Sequence, residues 1–118
     1  MLPFFREHPG TLFVSMTALP IVKPWMNRYK GKLLNLIGKG PEHMGKRARV
    51  FNNWLKDYDL KNVVVFDLYD ILTGEGDSNW TKYPTRDGKN SHPNSEGNTK
   101  AATEFIDFIN KAVRNQYF

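Results

Sequence analysis

The stretch "NVVVFDLYDIL", residues 62–72, indicates the fold class of this chain. Four consecutive apolar residues, Val63 to Phe66, are typical of a strand that is covered on both faces, as in a parallel sheet. Earlier in the chain, "TLFVSMTALP" (11–20) contains a second short apolar run that ends before Pro20. It predicts another buried strand that leads into a loop. We therefore expect two strands, near residues 12–17 and 62–67.

Helical spacing of apolar residues appears between and after these strands. "KLLNLIG" predicts a short helix that stops at Gly38. Residues 46–58 carry one apolar face, and a helix of about five turns is expected over 98–113, with Ser95 as a candidate N-cap. The predicted apolar faces are Ala48, Phe51, Leu55 and Tyr58 in the first of these helices, and Ala101, Ala102, Phe105, Ile106, Ile109 and Val113 in the second.

The alternation of strands and helices predicts an α/β fold with a parallel sheet. The 118 residues correspond to about one domain, residues 1–118, with a basic, glycine-rich insertion at about 23–45. The chain has no cysteine, which excludes disulfides, thiolate metal sites and a cysteine nucleophile. No apolar run is long enough to span a bilayer, and "MLPFFREHPG" lacks the features of a signal peptide.

The net charge of +5 is concentrated in one segment. Between residues 23 and 49, Glu42 is the only acid, and Trp25 and Tyr29 lie among the basic residues. Such a segment can bind phosphates and stack on bases, although a solvated surface explains it as well and no nucleic-acid motif is present. The basic residues are Lys23, Arg28, Lys30, Lys32, Lys39, Lys46, Arg47 and Arg49.

The polar stretch 73–90 predicts a long loop after the second strand, and "NSHPNSEGN" (90–98) ends it. In open parallel sheets, sites form beyond the carboxyl ends of the strands. Pro93 restricts the backbone at His92, so the imidazole is held as a general base requires. A histidine that merely precedes a helix remains an equally good interpretation of the pattern.

Three stretches, "TLFVSMTALP", "ARVFNNWLKDYDLKNVVVFDLYDILTG" and "SHPNSEGNTKAATEFIDFIN", resemble the C-terminal half of an SGNH (GDSL-type) hydrolase. The resemblance implies a three-layer α/β/α sandwich of the flavodoxin-like type, with its N-terminal portion missing. It also implies hydrolysis of acyl esters, often on carbohydrates or lipids, with His92 as the catalytic base. No cofactor or metal is implied, and a membrane or nucleic-acid partner is not expected.

Two departures from the family pattern bear on activity. The chain has no GDS motif and no Gly-x-Asn-Asp, so the serine nucleophile and the oxyanion donors are absent. The family's acid lies two or three residues before the histidine, where this chain has Asn90 and Lys89, and the nearest acid is Asp87. Asn90 can orient the ring but cannot stabilise an imidazolium charge.

We therefore expect an ester hydrolase fragment that is inactive by itself. Its candidate catalytic residues are His92, Asn90 and Asp87, and its candidate substrate-binding residues are Trp80 and Asn94. The expected partners are an ester or acylated carbohydrate and either a missing N-terminal half or a second copy, paired at the open sheet edge. The alternative is a non-catalytic module that uses residues 23–49 to bind an anionic partner.

Overall fold

A computed structural model describes residues 2–23, 28–57, 59–88 and 91–117. Five helices and two strands occur in these ranges, and the chain is a mixed α/β fold. Their order is α1 (Leu2–Glu7), β1 (Phe13–Met16), α2 (Arg28–Leu36), α3 (Pro41–Lys56), β2 (Val63–Phe66), α4 (Leu68–Thr73) and α5 (Ser95–Tyr117).

The two strands form a parallel sheet, as predicted. β1 pairs with β2 in a register that runs from Phe13 opposite Val63 to Met16 opposite Phe66. Among the described residues the sheet has only these two strands, so the other edge of β1 is unpaired there. On β1, Val14 and Met16 are 36% and 52% exposed. The expected association through this edge stays a prediction.

The core lies where β2, α4 and α5 meet. Phe66, Tyr69 and Leu72 are almost completely buried, and the Phe66 ring packs against Phe105 and Phe108 of α5 at centroid distances of 5.1 and 5.2 Å. The predicted stripe of α5 is thus only partly correct. Its buried or half-buried apolar residues are Gly97, Ala101, Phe105, Phe108, Ile109 and Ala112, whereas Ala102 is exposed, Ile106 is 58% exposed and Val113 is 36% exposed.

The predicted apolar face of α3 is only partly correct: Ala48 and Leu55 are half-buried, but the most buried residues of the helix are others. Asn52 is 2% exposed and Gly45 is buried, while Phe51 and Trp54 are 55% and 56% exposed. A polar network explains the difference, because the Tyr69 hydroxyl donates to the Gly45 carbonyl at 3.1 Å and the Ala18 amide donates to Asn52 Oδ1 at 3.3 Å. Trp54 therefore lies at the surface of α3 and not in the core. Tyr58 lies outside the described residues.

Arg49 is the centre of this network. Its guanidinium donates to Asp70 Oδ1 at 3.2 Å, to Thr73 Oγ1 at 3.2 Å, to Asn79 Oδ1 at 2.8 Å and to the Ser78 carbonyl. The group also lies 5.1 Å from the centroid of the Tyr69 ring. Burial raises the pKa of the Tyr69 hydroxyl, and the positive charge of Arg49 opposes that rise only in part. Arg49 thus joins α3, α4 and the following loop.

α4 was not predicted, although the sequence contains residues that are typical of both ends of a helix. The Asp67 side chain accepts a hydrogen bond from the Asp70 amide and caps the first turn, and Gly74 ends the helix at φ 79°, where glycine is favoured. Asp67 also pairs with Lys56, and Asp70 pairs with Arg49. The two ion pairs thus join α4 and its cap to α3.

The described part of residues 23–45 is more regular than its glycines suggested. α2 begins at Arg28 and includes the predicted short helix, with Gly38 after its end at φ 70°. α3 begins at Pro41 rather than at residue 46, because proline is favoured in the first helical turn. At the N-terminus, Asn62 Nδ2 donates to the Phe5 carbonyl at 2.8 Å and thereby joins α1 to the start of β2.

Candidate functional site

The carboxyl ends of β1 and β2 lie at the same edge of the sheet because the strands are parallel. The first polar residues there are Thr17 and Asp67, and Thr17 Oγ1 donates to Asp67 Oδ1 at 3.2 Å. The Tyr69 amide donates to Thr17 Oγ1 at 2.8 Å. This pair fixes the turn from β2 into α4, so its polar atoms are engaged in holding the fold.

His92 lies at this edge of the sheet, as predicted, and it lines a cleft that we call the His92 cleft. The cleft has a volume of about 410 Å³. Its walls come from the ends of β1 and β2, the segment after β1, the start of α4, the turn at residues 92–93 and the first turns of α5. The lining includes Met16, Leu19, Leu68, Ala102 and Phe105. The walls are therefore mainly apolar, and the exposed His92 imidazole is a polar group in their midst.

Hydrogen bonds hold the backbone immediately after His92. The Asn94 amide donates to the Tyr83 carbonyl at 2.9 Å. The Asn94 side chain accepts from the Gly97 amide at 2.9 Å, so Asn94 caps α5 and Ser95 is its first helical residue rather than its cap. Asn98 Nδ2 donates to the Pro93 carbonyl at 3.2 Å. His92 is thus attached to a firmly anchored helix start, as a positioned base requires.

Close packing at Gly97 gives a test of this anchoring. A Cβ atom at Gly97 would lie 2.6 Å from Tyr83 Cβ and 2.9 Å from Pro93 Cβ. Although alanine is the better helix former, we expect Gly97→Ala to lower the free energy of unfolding by about 1–3 kcal/mol through overpacking. It should also shift the His92 amide resonance. Urea denaturation and ¹⁵N–¹H spectra measure the two effects.

Gly10→Ala is the matched control, because an added Cβ there meets nothing within 4 Å. That substitution should change the free energy of unfolding by less than about 0.5 kcal/mol, the range of ordinary surface changes. A stabilising effect of Gly97→Ala would show that the start of α5 is looser than the structure indicates.

The remaining predicted site residues are placed as follows. Asp87 is exposed and accepts a hydrogen bond from Thr85 Oγ1 at 2.7 Å, and Asn90 lies outside the described residues. Asn94 is the helix cap described above. Trp80 lines a different cleft from His92. Asn94 is therefore near His92 only as its second neighbour in the sequence, and Trp80 belongs to a separate cleft.

The described lining of the His92 cleft contains no serine, threonine or cysteine. Ser15 lies within β1, and Ser78 Oγ accepts a hydrogen bond from the Trp80 amide at 2.9 Å. These positions agree with the sequence analysis, in which no serine matched the family's nucleophile. The apolar walls were not foreseen. The nearest signal was the apolar pair Met16 and Leu19 directly after the first strand.

The basic segment divides into internal and exposed residues. Arg49 takes part in the network between α3 and α4 described above, and Arg47 donates to the Gly38 carbonyl at 3.1 Å. The side chains of Lys32, Lys39 and Lys46 are exposed on or beside α2 and α3. Trp25 and the side chains of Arg28, Tyr29 and Lys30 fall outside what the structure describes.

In the described part of the chain, no group of three or more histidine, aspartate or glutamate side chains is arranged to hold a metal ion. None of the helices described has both the length and the apolar character that a membrane span needs.

Comparison with protein-family models, curated proteins and solved structures finds no match to this chain.

Proposed function

We propose that this chain is the base-bearing part of an SGNH-type ester hydrolase, with His92 as the general base. The observation that carries the proposal is the position of His92, which lines an apolar cleft at the carboxyl ends of two parallel strands. Sites in open parallel sheets occupy this edge. The sequence resemblance to the family supports the same role for the same residue.

The His92 cleft accepts the acyl part of an ester in this proposal. A volume of about 410 Å³ falls within the usual range for small-molecule sites, which are mostly apolar with a few placed polar groups. Met16, Leu19 and Phe105 contact the acyl chain, and the carbonyl end lies toward the imidazole. Apart from His92 and Asn98, the lining residues have no polar side chain that could bind a charged or strongly hydrated group.

In the reaction, the imidazole of His92 takes the proton from an attacking hydroxyl and later gives it to the leaving alcohol. The attacking hydroxyl and the donors that stabilise the oxyanion come from a segment that this sequence does not contain. That segment also adds strands to the sheet and completes the three-layer sandwich. The outer edge of β1, which has no partner strand among the described residues, is the place where the first added strand pairs.

A chimera tests this proposal. In a complete SGNH hydrolase, the segment that carries its own catalytic histidine is replaced by residues 11–117 of this chain. We expect the folded chimera to hydrolyse short-chain aryl esters, and we expect His92→Ala to lower kcat about 10²–10⁴-fold, the usual contribution of a general base. His43→Ala is the matched control, because the His43 Nε2 lies 3.1 Å from the Asn35 carbonyl and His43 does not line the His92 cleft.

Two results would contradict the proposal. A chimera that folds but has no esterase activity would show that His92 is not the general base. Turnover by the isolated chain that disappears in His92→Ala would show that the chain contains its own nucleophile. The isolated chain is expected to be inactive toward these esters.

The acid partner of His92 is identified in the same chimera. Asn90→Asp should raise kcat, because a carboxylate stabilises the imidazolium whereas an amide does not. A large loss from Asp87→Ala, without a gain from Asn90→Asp, would instead make Asp87 the partner.

A second candidate function is a module that binds an anionic partner. The exposure of Lys32, Lys39 and Lys46 on or beside two helices that contact each other favours it. In this case the isolated chain binds heparin, and the salt needed for elution falls when these three lysines are replaced by glutamine. If the unmodified chain and the triple glutamine variant elute at the same low salt concentration, the anion-binding function is excluded.

A further inference from the structure

A second cleft lies between the first turns of α3 and the loop that follows α4. We call it the Trp80 cleft. It has a volume of about 410 Å³ and is lined by Glu42, Lys46, Gly76, Asp77, Asn79 and Trp80 together with Ser78. None of these residues lines the His92 cleft. The Trp80 cleft is therefore a separate feature, and the proposed ester hydrolysis does not use it.

Contacts with α3 and α4 fix the loop that forms one wall of this cleft. Arg49 donates to Asn79 Oδ1 at 2.8 Å and to the Ser78 carbonyl, and the Tyr69 hydroxyl lies 3.2 Å from the Asn79 carbonyl. Gly45 allows the loop to approach α3 closely, since a Cβ there would lie 2.9 Å from Asn79 Cβ. A wall that is ordered before binding loses little entropy when a ligand arrives.

The wall presents one aromatic ring among polar groups. Trp80 is half-buried, and Glu42 and Lys46 are exposed on the opposite side. Asp77 is paired with Lys82 at 2.7 Å, and this contact lowers the pKa of the Asp77 carboxyl. The formal charges are thus balanced, with Glu42 against Lys46 and Asp77 against Lys82. A balanced wall has no net attraction for a phosphate or a carboxylate.

These properties match a neutral polyhydroxylated ligand. Sugar hydroxyl groups both donate and accept hydrogen bonds, so they are complementary to a wall that has a carboxylate and an ammonium group. The C–H face of a sugar ring is apolar and packs on an indole, whose flat surface buries a large area. An acyl chain fits poorly, because Trp80 is the only large apolar side chain in the described lining.

We propose that the Trp80 cleft binds a saccharide unit, with the indole of Trp80 as the stacking platform and Glu42 and Lys46 as the hydrogen-bonding side. The site is non-catalytic, and its occupancy does not depend on His92. It lets the chain attach to a glycan whether or not the chain takes part in ester hydrolysis.

The test is a titration of the full ¹⁵N-labelled chain with neutral tetrasaccharides: xylotetraose, cellotetraose, chitotetraose and maltotetraose. We expect the Trp80 indole resonance and the amides of residues 76–80 to shift saturably with at least one of them, with a Kd on the order of 1 mM. Trp80→Ala should weaken that binding at least tenfold, or about 1.4 kcal/mol. Trp80→Phe keeps an aromatic platform, so it should weaken saccharide binding less than Trp80→Ala does.

Trp54→Ala is the matched control, because Trp54 is also a partly exposed tryptophan, on α3, but does not line this cleft. It should leave saccharide binding unchanged. If Trp80→Ala disturbs folding, Lys46→Ala replaces it, since Lys46 is exposed, and it should weaken binding severalfold. The proposal is overturned if no tetrasaccharide gives saturable shifts at roughly 10 mM, if Trp54→Ala weakens binding equally, or if inorganic phosphate shifts the same resonances at lower concentration.

Discussion

Arg49→Met is expected to lower the free energy of unfolding by about 3 kcal/mol, because it removes the donor at the centre of a partly buried network. Methionine has a similar length but cannot donate to Asp70, Thr73, Ser78 or Asn79. Thr73 is completely buried, so water cannot take the place of the guanidinium there. For a chain of this size the loss corresponds to a fall in Tm of roughly 10–15 °C, measurable by calorimetry or circular dichroism.

Arg47→Met is the control, because Arg47 lies on the same helix with a single exposed hydrogen bond to a carbonyl. We expect it to change the free energy of unfolding by less than about 0.5 kcal/mol. Equal losses from the two variants would mean that the network around Arg49 does not stabilise the fold. Arg49→Met should also speed amide exchange at Trp80, since residues 78 and 79 lose their contact with α3.

Leu72→Ala is expected to destabilise the chain by about 2–5 kcal/mol, as for other buried leucines whose removal leaves a cavity. Leu72 is 0% exposed, and the buried hydrophobic residues in the described chain are few: Val63, Phe66, Tyr69, Leu72 and Ala112. Because a small domain has a total stability of only about 5–15 kcal/mol, one leucine is a large share of it. Denaturation in urea measures the loss.

Leu36→Ala makes the same chemical change on α2, at a side chain that is 83% exposed. It should alter the free energy of unfolding by less than about 0.5 kcal/mol. A loss below about 1 kcal/mol for Leu72→Ala, well under the range for core leucines, would place the core of this chain elsewhere.

Local patterns predicted the strands and the last helix of this fold, because the information lies within a few neighbouring residues. Val63 to Phe66 form β2 as their consecutive apolar side chains indicated. α3 shows the limit of such patterns. Its inward face contains Gly45, Arg49 and Asn52, whose partners lie on other elements, up to 34 positions away for Asn52. A periodic apolar stripe cannot reveal a face that is buried through polar contacts with distant residues.

The same distinction holds for the candidate site. Pro93 and the helix after it predicted that His92 lies on an anchored turn at the sheet edge, and the structure agrees. The walls of the His92 cleft could not be predicted, because Met16 and Phe105 meet there only after the sheet has formed. The sequence contained two signals for α4, namely an aspartate cap and a terminal glycine. The helix itself has only six residues, which are too few to show a helical periodicity of apolar side chains.

The pairing of β1 with β2 also determines when the sheet can form during synthesis. Phe13 pairs with Val63 and Met16 with Phe66, so every contact in the sheet joins residues about 50 positions apart, and sheets built from such non-local contacts form slowly. At about 5–20 residues per second, the ribosome adds β2 several seconds after β1. Throughout that interval β1 cannot pair with β2. This two-stranded sheet therefore forms only after residue 66 has been added.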